Sequence, residues 1–114
     1  MKLIEIAKFT NNVAGMSAFY RNLLDTEPVA QSADMAIFMS GETKIFIHKL
    51  YEQSPDELPP EDHIAFAVDN MDAHCLELEK QGFKIEVPPR DYYWGRSAYL
   101  RDPDGYLIEI AQSG

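Results

Sequence analysis

The sequence has a single cysteine, Cys75, in 114 residues. No disulfide can form within the chain, and a reducing compartment is the expected setting. No apolar run approaches the ~18 residues needed to cross a bilayer. The opening MKLIEIAKFT is interrupted by Glu5 and Lys8, so it lacks the unbroken apolar stretch of a secretory signal. Basic residues are also scarce: 10 Lys plus Arg stand against 19 Asp plus Glu, a net charge of −9. Phosphate backbones would be repelled, which argues against nucleic acid as a partner. The expectation is a cytoplasmic protein with no membrane and no nucleic-acid partner, long enough to bury one core without staples.

Apolar spacing then divides the chain. Residues 3–9 are short and partly β-branched and read as a strand. Asn11 and Asn12 follow as turn or cap residues, and Val13, Met16, Phe19, Tyr20, Leu23 and Leu24 recur at helical spacing. Strands are expected at 28–32, 35–40 and 43–49, the last two joined as a hairpin at Gly41-Glu42. Residues 51–62, YEQSPDELPPED, are acidic, proline-bearing and aperiodic, and read as a linker. The pattern then restarts with a strand at 63–68, a helix at 71–81 stopped by Gly82, and strands at 83–87, 96–101 and 106–111. Asp102-Pro103-Asp104-Gly105 is a strong turn signal.

The element order is therefore β-α-β-β-β twice, an internal repeat. A shift of 58 residues lays Glu5-Ile6-Ala7 on His63-Ile64-Ala65, and a shift of 63 lays residues 44–48 on 107–111. The expected organisation is one domain over 1–114, with a first module at about 1–50, the linker at about 51–62 and a second module at about 63–114.

Side chains alternate faces along a strand. One face of the first, fifth and last strands is large and apolar and should pack on helices. The other carries small residues together with Glu5, His63 and Glu109. A carboxylate on a half-closed sheet face costs several kcal/mol unless paired, coordinated or wet. Converging carboxylates and an imidazole would find one natural solution in a metal ion, and such donors suit iron(II), manganese, nickel or zinc. Salt bridges or water are the other solutions. His48 shares a face with Lys44 and Phe46, either as a half-exposed strand histidine or as a further ligand. His74 reads as a surface residue and Cys75 as a small core residue. Arg90, Arg96 and Arg101 cluster around the Trp94 segment, where they pair with acids or meet an anionic substrate.

Three segments carry a resemblance. Residues 94–110, WGRSAYLRDPDGYLIEI, resemble the C-terminal signature of the vicinal oxygen chelate superfamily, which includes glyoxalases, bleomycin-resistance proteins and extradiol dioxygenases. Residues 63–70, HIAFAVDN, and residues 17–24, SAFYRNLL, resemble two further segments of that family, in the same order. The resemblance implies an α+β fold in which two βαβββ modules form a curved mixed sheet around a cavity. It also implies a homodimer and a small-molecule substrate or ligand. Metal-dependent members take ligands from the first and fourth strands of each module, slots that fall here on Glu5, Phe46, His63 and Glu109. Glu5 stands where His or Gln is usual. Phe46 cannot bind a metal, so either His48 substitutes for it or the site has three protein ligands. Two functional classes follow from the resemblance. In the first, a divalent ion (Zn, Mn, Ni or Fe(II)) chelates two adjacent substrate oxygens while Glu5 or Glu109 moves a proton, as in lyases and isomerases, or dioxygenase chemistry starts from the same chelation. In the second, the protein has no metal and sequesters a planar or cationic compound. The expected pocket is lined by Phe9, Phe46, Trp94, Arg96 and Tyr99.

Overall fold

The computed structural model describes residues 1–54 and 59–114. The element order is β1 (Lys2–Thr10), α1 (Val13–Leu24), β2 (Ala30–Gln31), β3 (Met35–Ser40), β4 (Thr43–Lys49), β5 (His63–Val68), α2 (Met71–Lys80), β6 (Ile85–Tyr92), β7 (Gly95–Arg101) and β8 (Leu107–Gln112). This is the expected βαβββ pattern twice over, an α+β fold with mixed strand pairing. The linker expected at 51–62 lies partly outside the described residues, at 55–58. Two compact units are seen, Glu5–Asp62 and Met1–Ile4 with His63–Gly114. The change of unit at His63 coincides with the restart of the sequence pattern, while the first four residues group with the second half.

In the unit Glu5–Asp62 the strand order is β2-β3-β4-β1. The β1–β4 pair is parallel and the other two are antiparallel. Asn12 caps α1, its side chain accepting from the Gly15 amide at 3.0 Å. The helical stripe then buries Val13, with Met16, Tyr20 and Leu24, against Ala36, Phe38, Ile45 and Ile47. Alternation sends Phe46 and His48 of β4 to the opposite face from Ile45 and Ile47. The β1–β4 register sets Glu5, Ala7 and Phe9 beside Lys44, Phe46 and His48 on that face. The helix ends at Asp25, which sits in the left-handed region at φ 51. A Cβ is disfavoured there and glycine is not. Asp25→Gly is expected to raise stability by about 0.5–1 kcal/mol, read as a higher urea midpoint with unchanged slope.

The other unit repeats the scheme with order β5-β8-β7-β6, parallel at β5–β8. Asn70 caps α2 through the Ala73 amide at 3.2 Å. Met71 and Cys75 of α2 pack on Val68, Ala98, Leu100 and Ile110, with Phe66, Ile85 and Ile108 at the margin. The large apolar faces of β5 and β8 thus meet the helix, as alternation required. The β7–β8 turn closes on Asp102, whose Oδ1 accepts from the amides of Asp104 at 3.1 Å and Tyr106 at 2.9 Å, while Gly105 supplies φ 89.

Two expectations need correction. The strand expected at 28–32 shrinks to Ala30–Gln31. The strand expected at 83–87 instead runs Ile85–Tyr92, through Pro88 and Pro89. It survives two prolines because β6 is last in the strand order, and the register shifts between Val87 and Arg90. An edge strand with a bulge tolerates a missing N–H donor.

Candidate functional site

The buried polar group in the unit containing β5–β8 lies on the sheet face away from α2. In the β5–β8 register Ala65 stands opposite Glu109, and His63 lies one diagonal step away on the same face. The small Ala65 side chain leaves the imidazole room to reach Glu109. His63 Nε2 lies 3.0 Å from Glu109 Oε1, and each residue is only 5% exposed. The second carboxylate oxygen, Oε2, accepts from Ser97 Oγ at 2.7 Å. Tyr99 stands opposite Glu109 across the β7–β8 pair. Its fully buried ring meets the His63 ring edge-on, with centroids 6.0 Å apart. Glu109 therefore has hydrogen-bond partners on both oxygens, the condition for keeping a carboxylate away from water.

With Glu109 ionised, the short contact places the imidazole proton on Nε2. The same two atoms suit a metal. Nitrogen and oxygen ligands at about 2.1 Å from one ion, at a right angle, lie about 3.0 Å apart. An ion held there would take the place of the Nε2 proton, which in a neutral ring moves to Nδ1. Ser97 would then hold the free oxygen of a ligating carboxylate, the role outer-shell hydrogen bonds commonly fill. The donor set of imidazole and carboxylate suits zinc, iron(II), manganese or nickel.

In the unit Glu5–Asp62, Glu5 pairs with Lys44 at 3.7 Å. His48 Nδ1 lies 2.7 Å from the Lys49 carbonyl, so Nδ1 is the donor. The His48 ring packs among Phe46 at 5.5 Å, Phe9 at 6.0 Å and Tyr51 at 5.4 Å. Phe9 meets Phe46 edge-on. Three residues expected from sequence, Phe9, Phe46 and His48, thus form one half-buried aromatic cluster.

Arg96 has a different place from the expected pocket lining. It neighbours Ser97 in β7, so alternation turns it to the α2 side. It binds both Asp72 oxygens, at 3.1 and 3.3 Å, and Asp91 at 3.0 Å. It lines a surface groove of about 270 Å³ with Asp72, Cys75, Leu76, Glu79 and Pro89. Hydrogen bonds to Asp72 and Asp91 hold its guanidinium further toward the charged form.

Cys75 is buried, and burial first, then the charges of Asp72 and Glu79, raise its thiol pKa. The thiol should react slowly with 5,5′-dithiobis(2-nitrobenzoate) in native protein at neutral pH and rapidly in denaturant. A raised pKa means the folded state holds the proton more tightly. That contribution to stability is full below the free-thiol pKa and is lost as pH rises through the folded value.

Ser97 was not picked out from sequence as a residue of the buried group. A signal existed for it: in the expected strand 96–101, alternation puts it on the face opposite Ala98 and Leu100, where the partner acid lies.

A family model described as the Glyoxalase/Bleomycin resistance protein/Dioxygenase superfamily matches residues 2–110. An uncharacterised protein of Bacillus subtilis (strain 168), YraH, is 30% identical over 127 residues, spanning 96% of this chain and 97% of its own. The metallothiol transferase FosB of Shouchella clausii (strain KSM-K16) is 28% identical over 106 residues, spanning 88% of this chain and 72% of its own. Among solved structures, a hypothetical protein from Bacillus halodurans C-125 superposes with a TM-score of 0.77 at 22% identity, covering 99% of this chain and 94% of that one.

Proposed function

The chain belongs to the glyoxalase/bleomycin resistance protein/dioxygenase superfamily, and from that premise we propose that it is a metal-dependent enzyme acting on a small substrate through two adjacent oxygens. The observation that carries this reading is the buried His63–Glu109 pair, 3.0 Å apart and oriented by Ser97. His63 and Glu109 would hold a divalent ion. Glu5 is proposed as the third ligand, because the sequence repeat lays it on His63 and a carboxylate is a suitable donor for such an ion. His48 is the candidate fourth ligand. When bound, the ion would polarise a substrate carbonyl and offset charge on the neighbouring oxygen.

The chain's own residues would do the rest. A Glu109 or Glu5 carboxylate accepts a proton from the hydroxyl-bearing carbon next to the carbonyl and returns it to the former carbonyl carbon, while the hydroxyl proton passes to the former carbonyl oxygen. Ser97 fixes the Glu109 carboxylate so that the accepting oxygen is not lost to rotation. Tyr99 and Ala65 line the sheet face at Glu109 and exclude water there. The metallothiol transferase among the relatives is consistent with a metal, and isomerase, lyase or dioxygenase outcomes all start from the same chelation.

The test is proton exchange. Metal-reconstituted protein is incubated with hydroxyacetone, which has adjacent carbonyl and hydroxyl oxygens, in D₂O. Deuterium entering the carbon-bound positions above the buffer rate, with loss of that signal in Glu109→Gln, supports the reading. Exchange at the buffer rate with every divalent metal in the series rejects proton-transfer chemistry. Ser97→Ala separates ligand from support: metal affinity should fall about 10–100-fold while the fold is kept, measured by competition with a fluorescent chelator.

A second reading is favoured by the cluster of Phe9, Phe46, His48 and Tyr51, with Glu5 on the same sheet face. Such a set suits a metal-free protein that sequesters a flat cation. Saturable binding of a planar cationic dye to fully metal-stripped protein, lost in Phe46→Ala, would favour it. Among the described residues, no helix is long and apolar enough to cross a membrane. A cytoplasmic, homodimeric protein acting as one domain completes the reading, and light scattering showing only monomer would remove the dimer from it.

A further inference from the structure

Resting on the metal-dependent reading, we propose that Gln112 is a positioning residue. Its side chain fixes the β5–β8 register on which the His63–Glu109 pair, and so the affinity for an ion, depends. The need for such a device follows from topology. β7 and β8 are joined by the Asp102 turn, and a tight turn sets the register of the strands it joins. β5 and β8 run parallel and are separated by α2, β6 and β7, so no turn aligns them. Alternation excludes a slip of one residue, because that would send Glu109 to the α2 side. It does not exclude a slip of two, which keeps every face and moves Glu109 from the level of Ala65 to that of His63 or Ala67.

Gln112 closes this gap. It stands opposite Val68 in the last pair of the β5–β8 ladder. Its Oε1 accepts from the Met71 amide at 3.0 Å, a first-turn amide for which α2 has no carbonyl of its own. Its Nε2 donates to the Asp69 carbonyl. Ser113 adds two more ties, its amide to the Val68 carbonyl at 2.9 Å and its Oγ to Asp69 Oδ1 at 3.0 Å. One side chain of β8 thus grips the residues on both sides of Asn70, where the chain leaves β5 for α2. A two-residue slip, about 7 Å along the strand, would break these bonds. The role needs a donor and an acceptor on one side chain, which an amide supplies. The other half of the repeat has the backbone closure alone, from the Leu50 amide to the Thr10 carbonyl at 3.0 Å. There the shift of 63 lays Lys49 on Gln112, and an exposed ammonium cannot accept from a helix amide. The side-chain clasp belongs to the half in which an imidazole must meet a carboxylate.

The experiment compares the wild-type protein with Gln112→Met and Asn70→Ala. Gln112→Met keeps the length of the side chain and loses both of its bonds. Asn70→Ala removes the cap on the Ala73 amide and leaves β8 untouched, so it reports what loosening the helix end does alone. Zinc affinity, read by chelator competition, should fall about tenfold in Gln112→Met and stay within about twofold of the wild type in Asn70→Ala. Amide hydrogen exchange of the metal-free proteins should lose protection across residues 63–68 and 107–112 in Gln112→Met, but only in the first turn of α2 in Asn70→Ala. Gln112→Glu, which keeps the acceptor and loses the donor, should fall between the wild type and Gln112→Met in both readouts. Undiminished zinc affinity in Gln112→Met, or an equal loss in Asn70→Ala, overturns the proposal and reduces Gln112 to a helix cap. A wild type that takes up no zinc removes the metal reading instead, and the exchange pattern then still decides whether Gln112 holds the register.

Discussion

His63→Leu is expected to destabilise the metal-stripped protein by about 3 kcal/mol, among the largest effects of any single change in this chain. The reason is what remains behind. Glu109 would keep Ser97 on one oxygen but lose the imidazole on the other, in a place where it is only 5% exposed. A buried carboxylate short of a partner is costly, and leucine cannot donate. Urea unfolding at neutral pH reads the loss directly. One control identifies its cause. The double change His63→Leu/Glu109→Met should recover most of the stability, since an apolar pair of similar volume carries no desolvation penalty. A single variant as stable as the wild type would mean that the pair is not held away from water.

The architecture could be read from the chain because its signals are local and repeated. Asn12 caps α1 at the expected place, and Asn70 does the same for α2 in the repeat. Gly41 and the Asp102 turn sit between strands with clean alternation, and the large faces of β5 and β8 meet α2. The reading of β6 stopped early because Pro88 and Pro89 ordinarily end a strand. Only the position of β6 at a sheet edge lets it continue, and edge position is a property of the assembled sheet. The candidate site was legible as residue types on one strand face, His63 and Glu109. The diagonal step that brings them to 3.0 Å depends on the parallel β5–β8 register, which no window of sequence contains. Arg96 illustrates the same limit from the other side. Its sequence neighbours Trp94 and Tyr99 draw it toward the pocket, yet alternation from Ser97 turns it to α2. There Asp72, far away in sequence, and Asp91, its partner across the β6–β7 pair, take up its hydrogen bonds.

The second large effect concerns the ion. Glu109→Gln keeps the shape of the side chain and an oxygen to accept from Ser97, and should fold normally. It removes the negative charge next to His63 Nε2, and a neutral amide is a poor ligand for a hard or borderline cation. Affinity for zinc or manganese is expected to fall by more than about 100-fold, beyond the effect of Ser97→Ala, which leaves the carboxylate in place. Binding to the wild type should weaken as pH falls, because protons compete with the ion for Nε2. The same variant with undiminished affinity would place the ion elsewhere.

The central claim is that His63 and Glu109 hold a divalent ion. It is tested most directly by elemental analysis of protein purified without chelator, side by side with Glu109→Gln. The account predicts close to one divalent transition metal per chain in the wild type and next to none in the variant. Metal-free wild-type protein that also fails to take up zinc, manganese, nickel or iron(II) on dialysis would contradict it.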